Sequence, residues 1–388
     1  MSNKRKQLHI PGATSFFASL ISIGAGLLFG LLLLLILNPK FAGQGFVNLV
    51  SAGLKSPDKF AKVLYQAAPL IMTGLSVGFA FKTGLFNIGA SGQYTIGAGL
   101  ALIFAIQFQQ PWYVCLLMAM VGGAFWGVFP GLFKALFNVN EVITSIMFNW
   151  IAMFAVNLTI SNLPMMLAKY WGAAQLDRTA NLATANPSAL IPRLGLDQLM
   201  NSNYMNISIF IAIVFAVIMW IILSKTTFGY ELKACGHNRN ASVYAGINAK
   251  RNIVLSMTIA GALSGIGGGL YYLAGTGQYT LVKVLLNMGF NGIPVALLAS
   301  SHPLGTIFSA LFVSYIQVGG DAMQPEFVKE IIDIIIAVII YLAAFSLLVR
   351  ELLNRKKTRE FGNVNADPAV DAAVQAAAES SESEGPQA

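Results

Sequence analysis

Long apolar runs recur along this chain, and they restrict its possible folds more than any other feature. A run of about 20 apolar residues can cross the hydrocarbon core of a bilayer as an α-helix. Only 10% of the residues are charged, against roughly 25% in a soluble domain. Because lipid offers the backbone no hydrogen bonds, the runs must be helical. The sequence therefore predicts an all-α integral membrane protein with about ten transmembrane helices. We place the runs at residues 15–37, 62–81, 84–106, 112–133, 142–163, 206–224, 252–274, 284–300, 303–320 and 331–349.

Lys and Arg residues predict the orientation, because they concentrate in cytoplasmic segments. With the N-terminus inside, 15 of the 24 Lys and Arg residues are cytoplasmic, and both termini lie inside. The net charge of +8 then reflects topology, and no basic stripe indicates a nucleic-acid partner. The expected layout is a cytoplasmic N-terminus (1–14), a transmembrane domain (15–350) with an external loop (164–205) and a cytoplasmic loop (225–251), and a disordered cytoplasmic tail (351–388).

The apolar runs contain very few ionisable side chains. Among Asp, Glu, Lys and Arg, only Lys62, at the edge of the second run, and Asp333, near the outer end of the tenth, lie within them. Ion-driven carriers and voltage sensors normally keep such groups at membrane depth, and hydrolases need a base or a metal. No G-x-x-x-x-G-K-[ST] motif occurs, so no nucleotide-binding P-loop is expected. We therefore predict a chain without catalytic residues or a metal site, which uses energy supplied by other subunits if it moves a solute.

Neutral polar side chains do occur inside the runs. In FNIGASGQ (86–93), Asn, Ser and Gln stand among glycines, which indicates locally loosened helix facing protein or water. Two later pairs of polar residues, Ser145 with Asn149 and Asn287 with Asn291, are spaced i, i+4, so each pair lies on one helix face. A path of such groups favours a neutral, hydrogen-bonding solute, and interhelical hydrogen bonding is the alternative role. The polar candidates for the path are Asn87, Ser91, Gln93, Asn149, Asn287 and Asn291.

The cytoplasmic loop contains one predicted short helix, at residues 238–245. Ala241, Tyr244 and Ala245 would share one side of it, and the glycines at 236 and 246 would end it on either side. A projecting helix with small residues is suited to docking a soluble partner. A solvated loop whose positive charge only fixes topology is the alternative.

Several stretches, in a fixed order, resemble one known family. They are FNIGASGQ, EVITSIMFNWIA (141–152), the spacing G-x-N-x-x-x-S-x-Y-A-G-I (236–247) and GFNGIPVALLASSHPLG (289–305). They are similar to the permease subunits of ABC importers for simple sugars and nucleosides. PLIMTGLSVGFAFKTGLFNIG (69–89) is especially similar to the nucleoside branch, and the resemblance covers about residues 60–350.

The resemblance implies a multi-pass subunit of the bacterial cytoplasmic membrane, surrounded by lipid. Its implied partners are ABC ATPase subunits that use the ATP, a second and related permease, and an extracellular or lipid-anchored binding protein. This chain would bind no cofactor and would pass a neutral small molecule, with Phe86 and Tyr94 available to stack on a nucleobase. The segment that docks on the ATPase would carry Glu231, Gly236, Asn238, Ala241, Tyr244 and Gly246.

Two departures from the family pattern stand out. Ser91 replaces the acid that many nucleoside-type relatives carry, and Pro294 and Ala299 alter a stretch that often reads G-I-A-V-A-L-L-G. Ser91 puts in doubt any role of a carboxylate at this position. Pro294 and Ala299 indicate a different bend in this stretch of the chain. A simple sugar such as ribose or galactose is the alternative substrate. A secondary carrier or channel, or a membrane scaffold, is the alternative class.

Overall fold

The computed structural model describes residues 11–175 and 177–344. Within these ranges the chain is helical, with short 3-10 turns and two isolated β-bridges but no β-strand. The helices are α1 (Pro11–Leu37), α2 (Ala42–Ser51), α3 (Pro57–Lys82), α4 (Ala90–Ile106), α5 (Trp112–Phe137), α6 (Glu141–Asn162), α7 (Leu182–Ala185), α8 (Leu196–Met200), α9 (Ser208–Lys225), α10 (Thr227–His237), α11 (Arg239–Tyr244), α12 (Ala249–Leu273), α13 (Asn287–Leu298), α14 (Pro303–Asp321) and α15 (Lys329–Ala344). The prediction of an all-α membrane protein is confirmed.

Six of the described helices are long and apolar enough to cross a membrane, namely α3, α5, α6, α9, α12 and α14. The other four predicted runs also contain helices, in α1, α4, α13 and α15. The number of ten spans and the side of the termini stay predictions. Below, the end of the bundle that carries Lys82 and the loop 225–251 is called the inner end, following the predicted orientation.

Helix α12 lies at the centre of the bundle, against α3, α4 and α5. Its glycines let the neighbouring backbones come very close. A Cβ atom on Gly261 would lie 2.2 Å from the carbonyl oxygen of Gly123 in α5, and one on Gly265 would lie 2.3 Å from that of Ala119. On another face, a Cβ on Gly268 would lie 2.4 Å from the Tyr94 carbonyl in α4. Small residues allow this close approach in lipid, where packing drives helix association.

Two predicted runs are helical over only part of their length. The run 84–106 becomes helical at Ala90, after a non-helical segment at 83–89. The run 284–300 contains only the 12 residues of α13, about 18 Å of helix, so the prediction of a full-length helix there is wrong. Non-helical chain precedes α13, and its helical start lies beside Ser91 and Thr73, deep within the bundle.

The loops at the outer end are more ordered than the sequence indicates. The connection between α1 and α3 contains α2, and the predicted external loop (164–205) contains α7, α8 and three 3-10 turns. Isolated bridges join Leu167 to Thr179 and Arg178 to Thr280. The segment before α13 is thereby attached to the large external loop. The predicted cytoplasmic tail (351–388) and most of the N-terminus (1–14) lie outside the described residues.

Candidate translocation path and coupling helix

The polar segment between α3 and α4 is organised by paired amides. The Asn87 side-chain nitrogen donates to Ser76 Oγ (3.0 Å) and to Gln93 Oε1 (2.9 Å), and Gln93 Nε2 donates back to Asn87 Oδ1 (3.2 Å). All three side chains are fully buried. Buried polar groups need such partners, and this pairing holds the non-helical segment against the last two turns of α3.

A second amide reaches the same segment from α6. Asn149 Oδ1 accepts a hydrogen bond from the Gly92 backbone N–H (2.8 Å), and its Nδ2 donates to the Ile88 carbonyl (3.1 Å). Asn149 is also buried. The glycine permits this contact, because a Cβ on Gly92 would lie 2.8 Å from Asn149 Oδ1. Asn149 therefore satisfies backbone groups on both sides of the start of α4.

Ser91 connects α4 to α13. Its hydroxyl donates to the Leu286 carbonyl (2.9 Å), at the residue before α13 begins. A Cβ on Gly289 would lie 2.3 Å from Ser91 Cα, so the two helices meet backbone to backbone. A carboxylate at position 91 could not donate to that carbonyl, and the serine therefore suits the close contact in this chain.

The aromatic candidates of the segment also contact protein. Phe86 stacks on Phe81 with ring centroids 5.1 Å apart. Tyr94 is 1% exposed, and its hydroxyl has no hydrogen-bond partner among the described residues. The structure thus brings the candidates at 86–94 and Asn149 together, in a closed arrangement packed within the chain. Their role in a substrate path stays a prediction.

The other two candidates, Asn287 and Asn291, lie elsewhere, at a cavity. It occupies about 350 Å³ between α13, α14 and α15. Gln317 from α14 and Asp333 from α15 contribute its other amide and its carboxylate. Neither residue is among the predicted path residues, although Asp333 is the only acidic residue within the apolar runs.

The predicted cytoplasmic helix is present as α11, with one correction to its start. Asn238, not Gly236, caps it: the Asn238 side-chain oxygen accepts from the Ala241 N–H at 3.0 Å. Asn at this position satisfies an N–H group that the first turn leaves unpaired. Gly246 follows its end with a φ of 83°, a left-handed conformation that favours glycine.

The positions expected to dock on the ATPase differ in whether they also contact the bundle. Ala241 and Tyr244 are exposed, and Tyr244 is 92% exposed. Glu231 instead accepts a hydrogen bond from Asn252 at the start of α12 (3.1 Å). Gly236 lies inside α10, where a Cβ would be 2.5 Å from the Lys82 carbonyl. The exposed pair is available to a partner, whereas the other two hold the loop on the bundle.

These features define a class: a multi-pass membrane protein with polar amides inside the bundle and an exposed short helix at its inner end. A family profile described as the permease component of a branched-chain amino acid transport system matches residues 60–344. The chain belongs to this family of ABC-transporter permeases, which are non-catalytic membrane subunits. No solved structure gives a significant match.

Three curated relatives cover most of the chain. It is 36% identical to the guanosine ABC transporter permease protein NupP of Bacillus subtilis, over 88% of this chain and 96% of that protein. It is also 36% identical to the nucleoside ABC transporter permease protein NupB of Lactococcus lactis, over 92% of this chain and 96% of that protein. It is 28% identical to the glucose ABC transporter permease protein TsgB13 of Haloferax volcanii, over 85% of this chain and 87% of that protein.

Proposed function

We propose that this chain is the permease subunit of an ABC importer for nucleosides. The observation that carries the proposal is the 36% identity, over nearly the whole length, to permeases named for guanosine and for nucleosides. Identity to the glucose permease is lower, at 28%, and it makes a simple sugar the second candidate. The scarcity of ionisable groups in the apolar runs supports a neutral solute in both cases.

In this proposal ATP is hydrolysed by separate ABC ATPase subunits, and this chain binds no cofactor. A second, related permease completes the membrane core, and a binding protein delivers the nucleoside to the outer loops. The ATPase docks on the exposed face of α11, at Ala241 and Tyr244. Such a partner can bias a rigid-body transition of the helices between outward and inward access.

The packing of α10 provides a physical link from the docking face to the membrane interior. Gly236 lies against Lys82 and Gly84, since a Cβ on it would be 2.5 Å from the Lys82 carbonyl and 2.9 Å from the Gly84 nitrogen. The segment with Asn87 follows directly. A displacement of α10 and α11 would therefore press on the turn that leads into the amide cluster.

Transport measurements test the substrate. The chain, assembled with its partner subunits in proteoliposomes, should take up labelled guanosine in an ATP-dependent manner, and should take up labelled glucose much more slowly. ATP-dependent uptake of glucose without guanosine would replace the nucleoside by a sugar. Uptake of either that persists without ATP and follows an ion gradient would remove the chain from the ATP-driven class.

A single substitution tests the docking face. Tyr244→Ala should lower co-purification of the ATPase about tenfold, because an exposed aromatic side chain is a frequent hot spot of an interface. The matched control is Tyr170→Ala, which removes a tyrosine that is 60% exposed in the large external loop. Thermal stability of the isolated chain should be unchanged in both variants. Full ATPase binding by Tyr244→Ala would assign docking to another surface.

A further inference from the structure

The cavity between α13, α14 and α15 has the size and lining of a small-molecule site. Its volume of about 350 Å³ falls within the roughly 300–1,000 Å³ of known ligand pockets. Polar groups enter it from all three helices, and apolar side chains cover the remaining wall. Its lining includes Asn287, Asn291, Pro294, Gln317, Asp333 and Ile336.

Helix α13 is fixed so that its amides face this cavity. The opposite side of α13 is held against α3 and α4: a Cβ on Gly289 would lie 2.3 Å from Ser91 Cα, and one on Gly292 would lie 2.6 Å from the Thr73 carbonyl carbon. Asn287 and Asn291, one turn apart, therefore stay on the free side. Both retain accessible surface, unlike the fully buried Asn87 and Gln93.

Asp333 is the most unusual member of the lining. It lies four residues after the start of α15, about 6 Å along the helix, in a sequence that is otherwise Ile-rich. It is exposed, and no hydrogen bond or ion pair engages it among the side chains that the structure describes. A carboxylate facing lipid is costly, so such residues face a water-filled cavity or a polar partner. The cavity provides that environment.

The depth of the cavity fits a solute arriving from outside. Gln317 lies one turn before Asp321, which pairs with Lys62 at the outer end of the bundle (2.8 Å). Asn287 lies deeper, next to the contact of α13 with Ser91. The polar lining therefore descends from the outer end of α14 and α15 to the start of α13.

We propose that this cavity binds the nucleoside during transport, with Asp333 accepting hydrogen bonds from its hydroxyl or ring N–H donors and Asn287, Asn291 and Gln317 pairing with its remaining polar groups. The proposal rests on the proposed nucleoside import and adds the place and the chemistry of recognition. One carboxylate and three amides supply both acceptors and donors, as a neutral, multiply hydrogen-bonding solute requires.

Thiol labelling tests occupancy directly. Cys115 and Cys235 are buried, so in the assembled transporter Asn291→Cys should be the main site on this chain for N-ethylmaleimide. Guanosine, supplied on its binding protein, should slow this labelling about tenfold. The matched control is Phe137→Cys, at a position that is 70% exposed at the inner end of α5, away from the outer loops where the binding protein docks, and its labelling should not change. A thiol at 291 that never reacts, or that reacts equally with and without guanosine, would overturn the proposal.

Transport kinetics test the carboxylate. Asp333→Asn should raise the guanosine concentration for half-maximal uptake about tenfold or more, the effect expected for losing a hydrogen bond to a charged group. Its maximal rate and its assembly should stay near wild type, and Asp333→Glu should recover part of the affinity. Asp321→Asn removes an acid outside the cavity and should change the concentration less than twofold. Equal behaviour of Asp333→Asn and Asp321→Asn would refute the assignment.

Failure of the cavity and failure of the nucleoside proposal give different results. If the wild type takes up guanosine, but guanosine does not protect Asn291→Cys and Asp333→Asn does not change the half-maximal concentration, only the cavity proposal is refuted. If the wild type carries glucose and not guanosine, the nucleoside proposal fails, and the same two tests are run with glucose as the probe. Protection by glucose then supports the cavity as the binding site, and its absence refutes it.

Discussion

The paired amides of Asn87 and Gln93 allow a quantitative prediction about the polar segment. Asn87→Leu removes three hydrogen bonds, one to Ser76 and two shared with Gln93. Each such bond is worth between about 0.6 kcal/mol in membrane proteins and about 1.5 kcal/mol in soluble ones. We therefore expect Asn87→Leu to lower the free energy of unfolding by about 2–4 kcal/mol. Gln93→Leu loses only the two shared bonds and should cost about 1–3 kcal/mol.

The double variant distinguishes a paired cluster from two independent groups. Removing both side chains still loses only the same three bonds, so the cost should remain about 2–4 kcal/mol. The two single costs would then exceed the double cost by about 1–3 kcal/mol, the value of the two shared bonds. Independent groups would give additive costs.

The assay is unfolding of the purified chain in mixed micelles by SDS titration, followed by helix content. Asn162→Leu is the control, because its amide bonds only to the Leu158 carbonyl of its own helix and is exposed; it should cost less than about 1 kcal/mol. Guanosine uptake is measured in parallel. Additive costs for Asn87→Leu and Gln93→Leu, or wild-type stability of both, would refute the reasoning from their pairing.

Two further predictions concern helix contacts. Gly261→Val should lower the free energy of unfolding by about 3 kcal/mol or more and lower the yield of folded protein, because a Cβ at this position would lie 2.2 Å from the Gly123 carbonyl oxygen. Gly43→Ala is the control and should express normally, because no atom lies within 4 Å of its added Cβ. Comparable yields of the two variants in size-exclusion chromatography would contradict the close contact of α12 with α5. Ser91→Ala should cost about 1 kcal/mol in the same SDS titration, since it leaves the Leu286 carbonyl without its donor; unchanged stability would mean that another group satisfies this carbonyl.

The apolar runs predicted the helices well because lipid leaves the backbone no other regular conformation. The shared face of Ala241 and Tyr244 on α11 was also predictable from local spacing, because residues three apart in a helix lie on the same side. In the sequence, the spacing of four between Gly261 and Gly265 places both on one helix face, which favours a close helix contact. Their partner, Gly123, was not predictable, because the choice of the facing helix depends on tertiary packing.

The polar residues show where sequence reasoning ends. Asn87 and Asn291 look alike in the sequence, each an amide in an apolar stretch with glycines nearby. Only the folded chain shows that Asn87 is satisfied by Ser76 and Gln93, while Asn291 lines a cavity. Likewise, Gly236 was expected to flank the cytoplasmic helix as a break in the chain, and its place inside α10 and its contact with the Lys82 carbonyl depend on how α10 packs against α3.

The late start of α13 has a consequence for membrane insertion during synthesis. The chain before it carries non-helical backbone into the bundle, where the Leu286 carbonyl accepts from Ser91. Closer to the surface, the Val282 carbonyl accepts from Asn157. These donors come from α4 and α6, which are synthesised much earlier. Without these donors, the non-helical residues directly before α13 would carry unpaired carbonyls into lipid, so we expect this segment and α13 to enter the bilayer only after α4 and α6 have folded there. This part of the chain should therefore be the last part of the central bundle to reach its folded position. A truncated chain that lacks α4 or α6 should leave it outside the membrane.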